Sequence, residues 1–278
     1  MTATGSRARG RPRSFNDTAQ GTLIQSLDRA MDVLKIVASG TGMSLTEIAA
    51  IGAQAPATVY RILITLQKHR MVDFDEAAQL WHVGLEAFRI GSSFLGRTRL
   101  VEQSRPVMQR LMTATGETAN LAIVDLGEVV FVSQVETHET IRAFFRPGTR
   151  GPIHASGVGK ALLAHFSPEQ IGQILTAQSF ESFTARTLAD ENALRRDLDL
   201  IVQRGWAVDD EERTVGMRCI AAPIFNQFGE AIAGISLSGP SVRVTPDRDE
   251  VHGRQVRAAA DEITRAIGGV VPEIAKRI

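Results

Sequence analysis

Four clusters in the second half of the chain carry the side chains best suited to holding a small molecule. They are His154–Lys160 with its two glycines, the acidic run Asp209–Glu212, Cys219, and the pair Ser236 and Ser238. Gly157 and Gly159 stand at the expected start of a helix. There the backbone N–H groups around Val158 point outward, and the helix dipole favours an anion such as a carboxylate. Ser236 and Ser238 are two apart on an expected strand, which sends both hydroxyls to one side of a sheet and Ile235 and Leu237 to the other. Cys219 falls on a second strand, and Asp209 ends a third. Asp209 would repel a carboxylate placed against it, so it is expected to meet an oxo, hydroxyl or hydrate group. Each residue also has an ordinary reading, since buried cysteines and strand serines are usually core and turn residues.

The enzyme motifs these residues evoke are incomplete. A phosphate loop ending at Gly157-Val158-Gly159-Lys160 needs glycine at 154 and Ser or Thr at 161, where the chain has His154 and Ala161. One Gly-x-Gly is not a dinucleotide fingerprint. Cys219 with His154 or His165 as a thiol pair is not excluded by spacing, because such pairs assemble in space. The carboxylates at 209–212 suit a hard metal, but an acidic loop is more often solvated charge. No catalytic residue, resident metal or cofactor is assigned, and a binding protein is expected. A DNA-binding protein without a ligand is the remaining alternative.

Nucleic acid enters through residues 41–74. Ser44 and Glu47 form a capping box for a helix through Ala50, Gly52 is read as its break, and Pro56 suits the first turn of a second helix running to about His69. Val59, Ile62, Leu63 and Leu66 give that helix one buried stripe. Its opposite face carries Ala57, Thr58, Arg61, Thr65 and Lys68, short residues and cations able to approach a DNA groove, with Tyr60 at the phosphate rim. A preceding helix with Leu23, Leu27, Ala30, Leu34 and Val37, and short strands at 71–74 and 80–83, complete a winged helix-turn-helix. Ahead of it, Arg7, Arg9, Arg11 and Arg13 alternate with small residues. Arg9-Gly10-Arg11-Pro12-Arg13 resembles the core of an AT-hook, whose arginines enter the minor groove of A·T-rich DNA. The first 21 residues hold four arginines against Asp17, whereas residues 22–83 hold five cations against six carboxylates, so the arm is the basic part.

At 278 residues and 44% hydrophobic, the chain is too long for a winged helix alone. One cysteine excludes an internal disulfide framework and fits a reducing cytoplasm; no apolar run approaches a membrane span and no signal-peptide core follows the charged start. The expected division is a basic arm at 1–21, the winged helix at 22–83, a linker helix at 84–97 carrying Leu85, Phe88 and Phe94, and a larger domain at 98–278. That domain reads as a helix at 101–115, strands at 118–124 and 129–135 around a turn at Asp125–Glu128, and a third strand at 140–145. Helices follow at 154–165 and 191–203, strands at 206–208, 218–224 and 231–238, and a closing helix at 247–267. A meander of strands interrupted by helices argues α+β with an antiparallel sheet flanked by helices.

These segments together resemble the IclR-type transcriptional regulators. The resemblance is carried by QAPATVYRILITLQKHRMV, GPIHASGVGKALLA at 151–164, RGWAVDDEE at 204–212 and GMRCIAAPIFNQFGEAIAGISLSGP at 216–240. It implies a GAF-like C-terminal domain, a homodimer or homotetramer on double-stranded operator DNA, and response to a small carboxylate. Positions matching Gly157, Val158, Asp209, Cys219, Ser236 and Ser238 line a pocket for glyoxylate-like or pyruvate-like acids in such relatives, with Met217 and Trp206 as candidates for setting its size. The arm departs from the pattern, since many relatives begin close to the winged helix.

Overall fold

A computed structural model describes residues 23–96, 99–177 and 180–272, and the chain divides into two compact units between Phe94 and Leu95. The arm with Arg9, Arg11 and Arg13 lies outside the described residues.

The first unit comprises α1 (Gln25–Ser39), α2 (Leu45–Ile51), α3 (Pro56–Lys68), β1 (Val72–Asp75), β2 (Leu80–Val83) and α4 (Leu85–Gly96). Ser44 starts α2 as its spacing to Glu47 requires: Ser44 Oγ accepts the Glu47 N–H at 3.3 Å, and Glu47 Oε2 accepts the Ser44 N–H at 2.8 Å. Helices α2 and α3 meet at 112°, within the range of a helix-turn-helix. The left-handed residue at this corner is Ala53, with φ 46°, not Gly52, whose φ of −76° suits any residue. Gly52 instead gives room, since a Cβ there would lie 3.2 Å from Ile36 Cδ1. Val33, Val37, Ile48, Val59, Leu63 and Trp81 form the core. Leu23 and Leu27, expected on the buried stripe of α1, are 65% and 58% exposed, because α1 reaches this core only through its second half.

The second unit runs α5 (Leu100–Thr115), β3 (Thr118–Asp125), β4 (Glu128–Val135), β5 (Arg150–Pro152), α6 (Gly157–Leu163), α7 (Pro168–Ala177), α8 (Glu191–Arg204), β6 (Ala207–Asp210), β7 (Met217–Phe225), β8 (Ala231–Pro240) and α9 (Asp249–Ala266). Its strands make one six-stranded antiparallel sheet in the order β5-β4-β3-β8-β7-β6. Leu126 and Gly127, both at positive φ, close the β3–β4 hairpin, the geometry that matches strand twist. Ile235 and Leu237 of β8 face the core built with α5 and α9. Ala221 and Ala207 face the other core, built with α6, α7 and α8. The fold is α+β, as the strand pattern indicates.

Three expectations change. Residues 140–145 are not a strand: β5 pairs with β4 at that edge. The segment packs as a loop instead, with Ala143 O accepting from Thr118 Oγ1 at 3.1 Å and Phe145 stacked on Phe131 at 4.4 Å. Helix α6 begins at Gly157 rather than 154, because Ser156 is its cap, accepting the Gly159 N–H at 3.4 Å. Helix α7 was not anticipated, although Ser167 and Gln170 spell its capping box: the Ser167 N–H donates to Gln170 Oε1 at 2.9 Å and the Gln170 N–H to Ser167 Oγ at 3.2 Å.

Candidate functional site

The sheet register lines up the polar residues of four strands. Asp209 on β6 pairs with Cys219 on β7, Cys219 with Ser238 on β8, and Ser238 with Thr118 on β3. Directly paired residues share a face, so this row lies on the side covered by α6. That helix comes close because it starts with glycine: a Cβ on Gly157 would fall 3.0 Å from Cys219 Sγ, and one on Gly159 only 2.1 Å from Ile153 O. Between helix and row is a cavity of about 40 Å³, space for roughly three water molecules. Gly157, Val158, Asp209, Cys219, Ser238 and Met217 are among the residues that line it.

Two expected residues are elsewhere. Ser236, fully buried one row along β8, is not among the residues lining the cavity, although its hydroxyl lies beside the Cys219 thiol that is. Its Oγ lies 3.4 Å from Asn120 Nδ2, which also donates to Ser238 Oγ at 3.1 Å, and Gln134 Nε2 donates to Asn120 Oδ1 at 2.9 Å. Ser236 therefore belongs to a buried amide–hydroxyl chain that holds Ser238 in place. Trp206 belongs to the core on the opposite face of the sheet. Its indole fills the space over Gly253, where a Cβ would be 2.2 Å from the ring. Phe131, Phe145 and Arg213 complete the cavity wall and were not anticipated. The paired aromatics were separated in sequence by an unpredictable loop, and Arg213 follows a left-handed Glu211 (φ 61°) that redirects the chain.

Electrostatics at this site are set by burial. Asp209 Oδ1 accepts the Glu212 N–H at 2.8 Å, and no other described residue hydrogen-bonds its carboxylate. Burial pushes the Asp209 carboxyl up to about 6, against the opposing pull of that N–H, Lys160 and Arg213. Burial, with the Asp209 charge behind it, pushes the Cys219 thiol up to about 12, so it is not an activated nucleophile. Its proposed histidine partners are occupied: His154 Nε2 lies 3.0 Å from Glu181 O, and His165 packs edge-on to Phe225 at 5.0 Å. Lys160, only 1% exposed, reaches Glu212 Oε1 at 2.5 Å and Asp197 Oδ2 at 2.7 Å. Burial opposes its charge, but Glu212 and Asp197 outweigh it and hold the ammonium above its ordinary pKa. One ammonium cannot neutralise several buried carboxylates. Burial accordingly raises Glu212 to about 7 despite Lys160, with Asp209 and Asp197 adding to the rise. Lys160 is thus an internal cation, not a phosphate ligand. Helix α6 has seven residues and its Gly159 N–H is already capped, so an anion there would depend on the Gly157 and Val158 N–H groups, which no described residue accepts.

In the first unit, Ala57, Thr58, Tyr60, Arg61 and Thr65 are all exposed on α3, opposite the buried Val59 and Leu63. Thr65 Oγ1 donates to Arg61 O at 2.8 Å, which occupies the hydroxyl's proton. Among the described residues, no single helix is long and apolar enough to cross a membrane.

Residues 26–76 match the family model described as the IclR helix-turn-helix domain, and residues 92–265 the one described as bacterial transcriptional regulator IclR C-terminal. The chain belongs to the IclR family of transcriptional regulators. It is 51% identical over 261 residues to the HTH-type transcriptional regulator BhcR of Paracoccus denitrificans, covering 93% of this chain and 94% of that one. The Thermotoga maritima IclR structure aligns with a TM-score of 0.75 at 27% identity, over 88% of this chain and 100% of its own. An IclR homologue from Microbacterium hydrocarbonoxydans, complexed with 4-hydroxybenzoate, aligns with a TM-score of 0.78 at 25% identity, over 87% of this chain and 99% of its own. As an IclR-family member the chain is a DNA-binding regulator with an effector-binding C-terminal domain, not an enzyme.

Proposed function

We propose that this regulator senses a two- or three-carbon 2-oxo acid, glyoxylate or pyruvate, in the cavity beneath α6, and that occupancy changes its affinity for operator DNA. The observation that carries this reading is the in-register row Asp209–Cys219–Ser238 walling a cavity of about 40 Å³. Ser238 and the Gly157 and Val158 N–H groups supply hydrogen bonds to oxygen, while the raised pKa of Asp209 lets it donate a proton toward the oxo end. The volume favours such small acids over an aromatic acid. Calorimetric titration of the full chain with glyoxylate, pyruvate and 4-hydroxybenzoate tests this. Binding of the two small acids alone is expected; tighter binding of the aromatic acid, or no heat with any of them, overturns the assignment.

On the DNA side, Ala57, Thr58, Arg61 and Thr65 approach base edges, Tyr60 contacts the backbone, and Arg9, Arg11 and Arg13 enter the adjacent minor groove. Deleting residues 1–13 should lower operator affinity and make its salt dependence shallower, by up to about three or four charges. Unchanged affinity and slope would remove the arm from the interface. The active species is proposed to be a homodimer or homotetramer. Leu27 and Met31 on α1 and Leu85 and Phe88 on α4 are apolar and 58%, 45%, 63% and 70% exposed, a composition more usual at subunit contacts than at free surface. Analytical ultracentrifugation of the wild type and Phe88→Glu checks it, and a monomeric wild type would refute it.

A further inference from the structure

Arg213 holds an unusual position in the second unit. In the same unit Arg150, Arg186, Arg204, Arg218 and Arg243 are each engaged by carboxylates. Arg213 makes no hydrogen bond or ion pair to any described residue, although it is half-buried. It is also the one described residue shared by two concavities: the small cavity holding Asp209, Cys219 and Ser238, and a wider groove of about 680 Å³ lined by Glu128, Gly151, His154 and Phe183. Its guanidinium lies against the backbone of β5, where Gly151 gives it room: a Cβ there would fall 2.2 Å from Arg213 Nη1.

A half-buried guanidinium with no hydrogen-bonded or ion-paired partner among the described residues, beside a cavity whose one lining carboxylate is Asp209, is suited to a negative charge. From this geometry we infer that Arg213 is the residue that binds the effector's carboxylate, held at the junction of cavity and groove by the bare backbone of Gly151. The inference rests on the effector reading above and deepens it. It orients the ligand: the carboxylate meets Arg213 in a forked, charge-assisted contact, and the oxo group turns away toward Asp209 and Ser238. The like-charge conflict between effector and Asp209 is relieved, because the carboxylate is held by Arg213 and not against Asp209.

The test uses pyruvate and its neutral isostere pyruvamide, titrated calorimetrically into the full-length wild type, Arg213→Gln and Gly151→Ala. Charged hydrogen bonds of this kind correspond to on the order of 10- to 100-fold in affinity. Wild type should prefer pyruvate over pyruvamide by that factor. Arg213→Gln should lose the preference by weakening pyruvate alone. Gly151→Ala keeps every charge and displaces only the flexible end of Arg213, so it should weaken pyruvate several-fold with pyruvamide unchanged. A pyruvate affinity unaffected by Arg213→Gln, or an equal loss for both ligands, overturns the anchor while leaving the effector reading intact. A wild type that binds neither ligand, with glyoxylate also silent, overturns both.

Discussion

Lys160 Nζ and Glu212 Oε1 lie 2.5 Å apart inside the second unit, with 1% and 5% of their side chains exposed, and Asp197 completes the cluster at 2.7 Å from the same nitrogen. The cluster pins α6 to α8 and to the acidic turn after β6, and so fixes the roof of the cavity. Lys160→Met removes the one cation from the buried Glu212 and the half-buried Asp197 and should destabilise the protein by up to about 3–5 kcal/mol. Glu212→Gln should cost much less, since a carboxyl raised to about 7 is already half protonated at neutral pH. Urea unfolding of both variants checks the ranking; a loss below about 1 kcal/mol for Lys160→Met, at the scale of a surface pair, would contradict the role given to the cluster.

Asp209 makes a pH-dependent prediction. Folding raises its pKa from 3.8 to about 6 through burial, so the native state holds the proton more tightly than the unfolded chain. Its contribution to stability is full below pH 3.8 and is lost as pH rises through about 6. At 1.36 kcal/mol per pKa unit the difference at pH 8 is about 3 kcal/mol. Asp209→Asn keeps an oxygen for the Glu212 N–H. It should therefore stabilise the ligand-free protein above pH 6 by up to that amount while weakening 2-oxo acid binding. Thermal unfolding from pH 5 to 8 is the measurement, and parallel profiles for wild type and variant would count against it.

Arg61 stands exposed on α3 with Thr58 one turn before it. A base-edge contact is worth roughly 1–3 kcal/mol and applies only to the right sequence. Arg61→Ala should therefore narrow the ratio of operator to random-DNA affinity by about 5- to 150-fold. Fluorescence anisotropy on both duplexes decides the matter, and equal losses on each would make Arg61 a phosphate contact.

Ser44→Ala removes the hydroxyl of the α2 capping box and should destabilise the first unit by about 1 kcal/mol. Hydrogen exchange at Glu47 and Ile48 should accelerate accordingly. No change there would show that Glu47 alone sustains the helix start.

Legibility in the sequence followed the range of the interactions. The capping box at Ser44, the Pro56 helix start and the inward–outward alternation of Ile235 to Ser238 are written in neighbouring residues, and the structure reproduces them. Cavity residues on adjacent strands, such as Asp209 and Cys219, were identifiable through the family's motifs rather than by pairing rules. Long-range geometry was hidden. Ser236 and Ser238 look equivalent in sequence, and nothing local shows that Asn120, far back on β3, ties both hydroxyls together. Trp206, by contrast, sits three residues before Asp209, an odd spacing that strand alternation already sends to the opposite face of the sheet, where the structure has it. The exposed start of α1 broke the helical pattern because periodicity reports which side of a helix is apolar, not how far a core extends along it.

Burial of Cys219, the chain's one cysteine, has a chemical consequence. With its thiol pushed up to about 12 by burial, the thiolate that peroxide and alkylating agents attack is strongly disfavoured at neutral pH. A sulfur that faces the cavity is thereby kept in its thiol form, so reagents that need the thiolate are expected to react with it slowly.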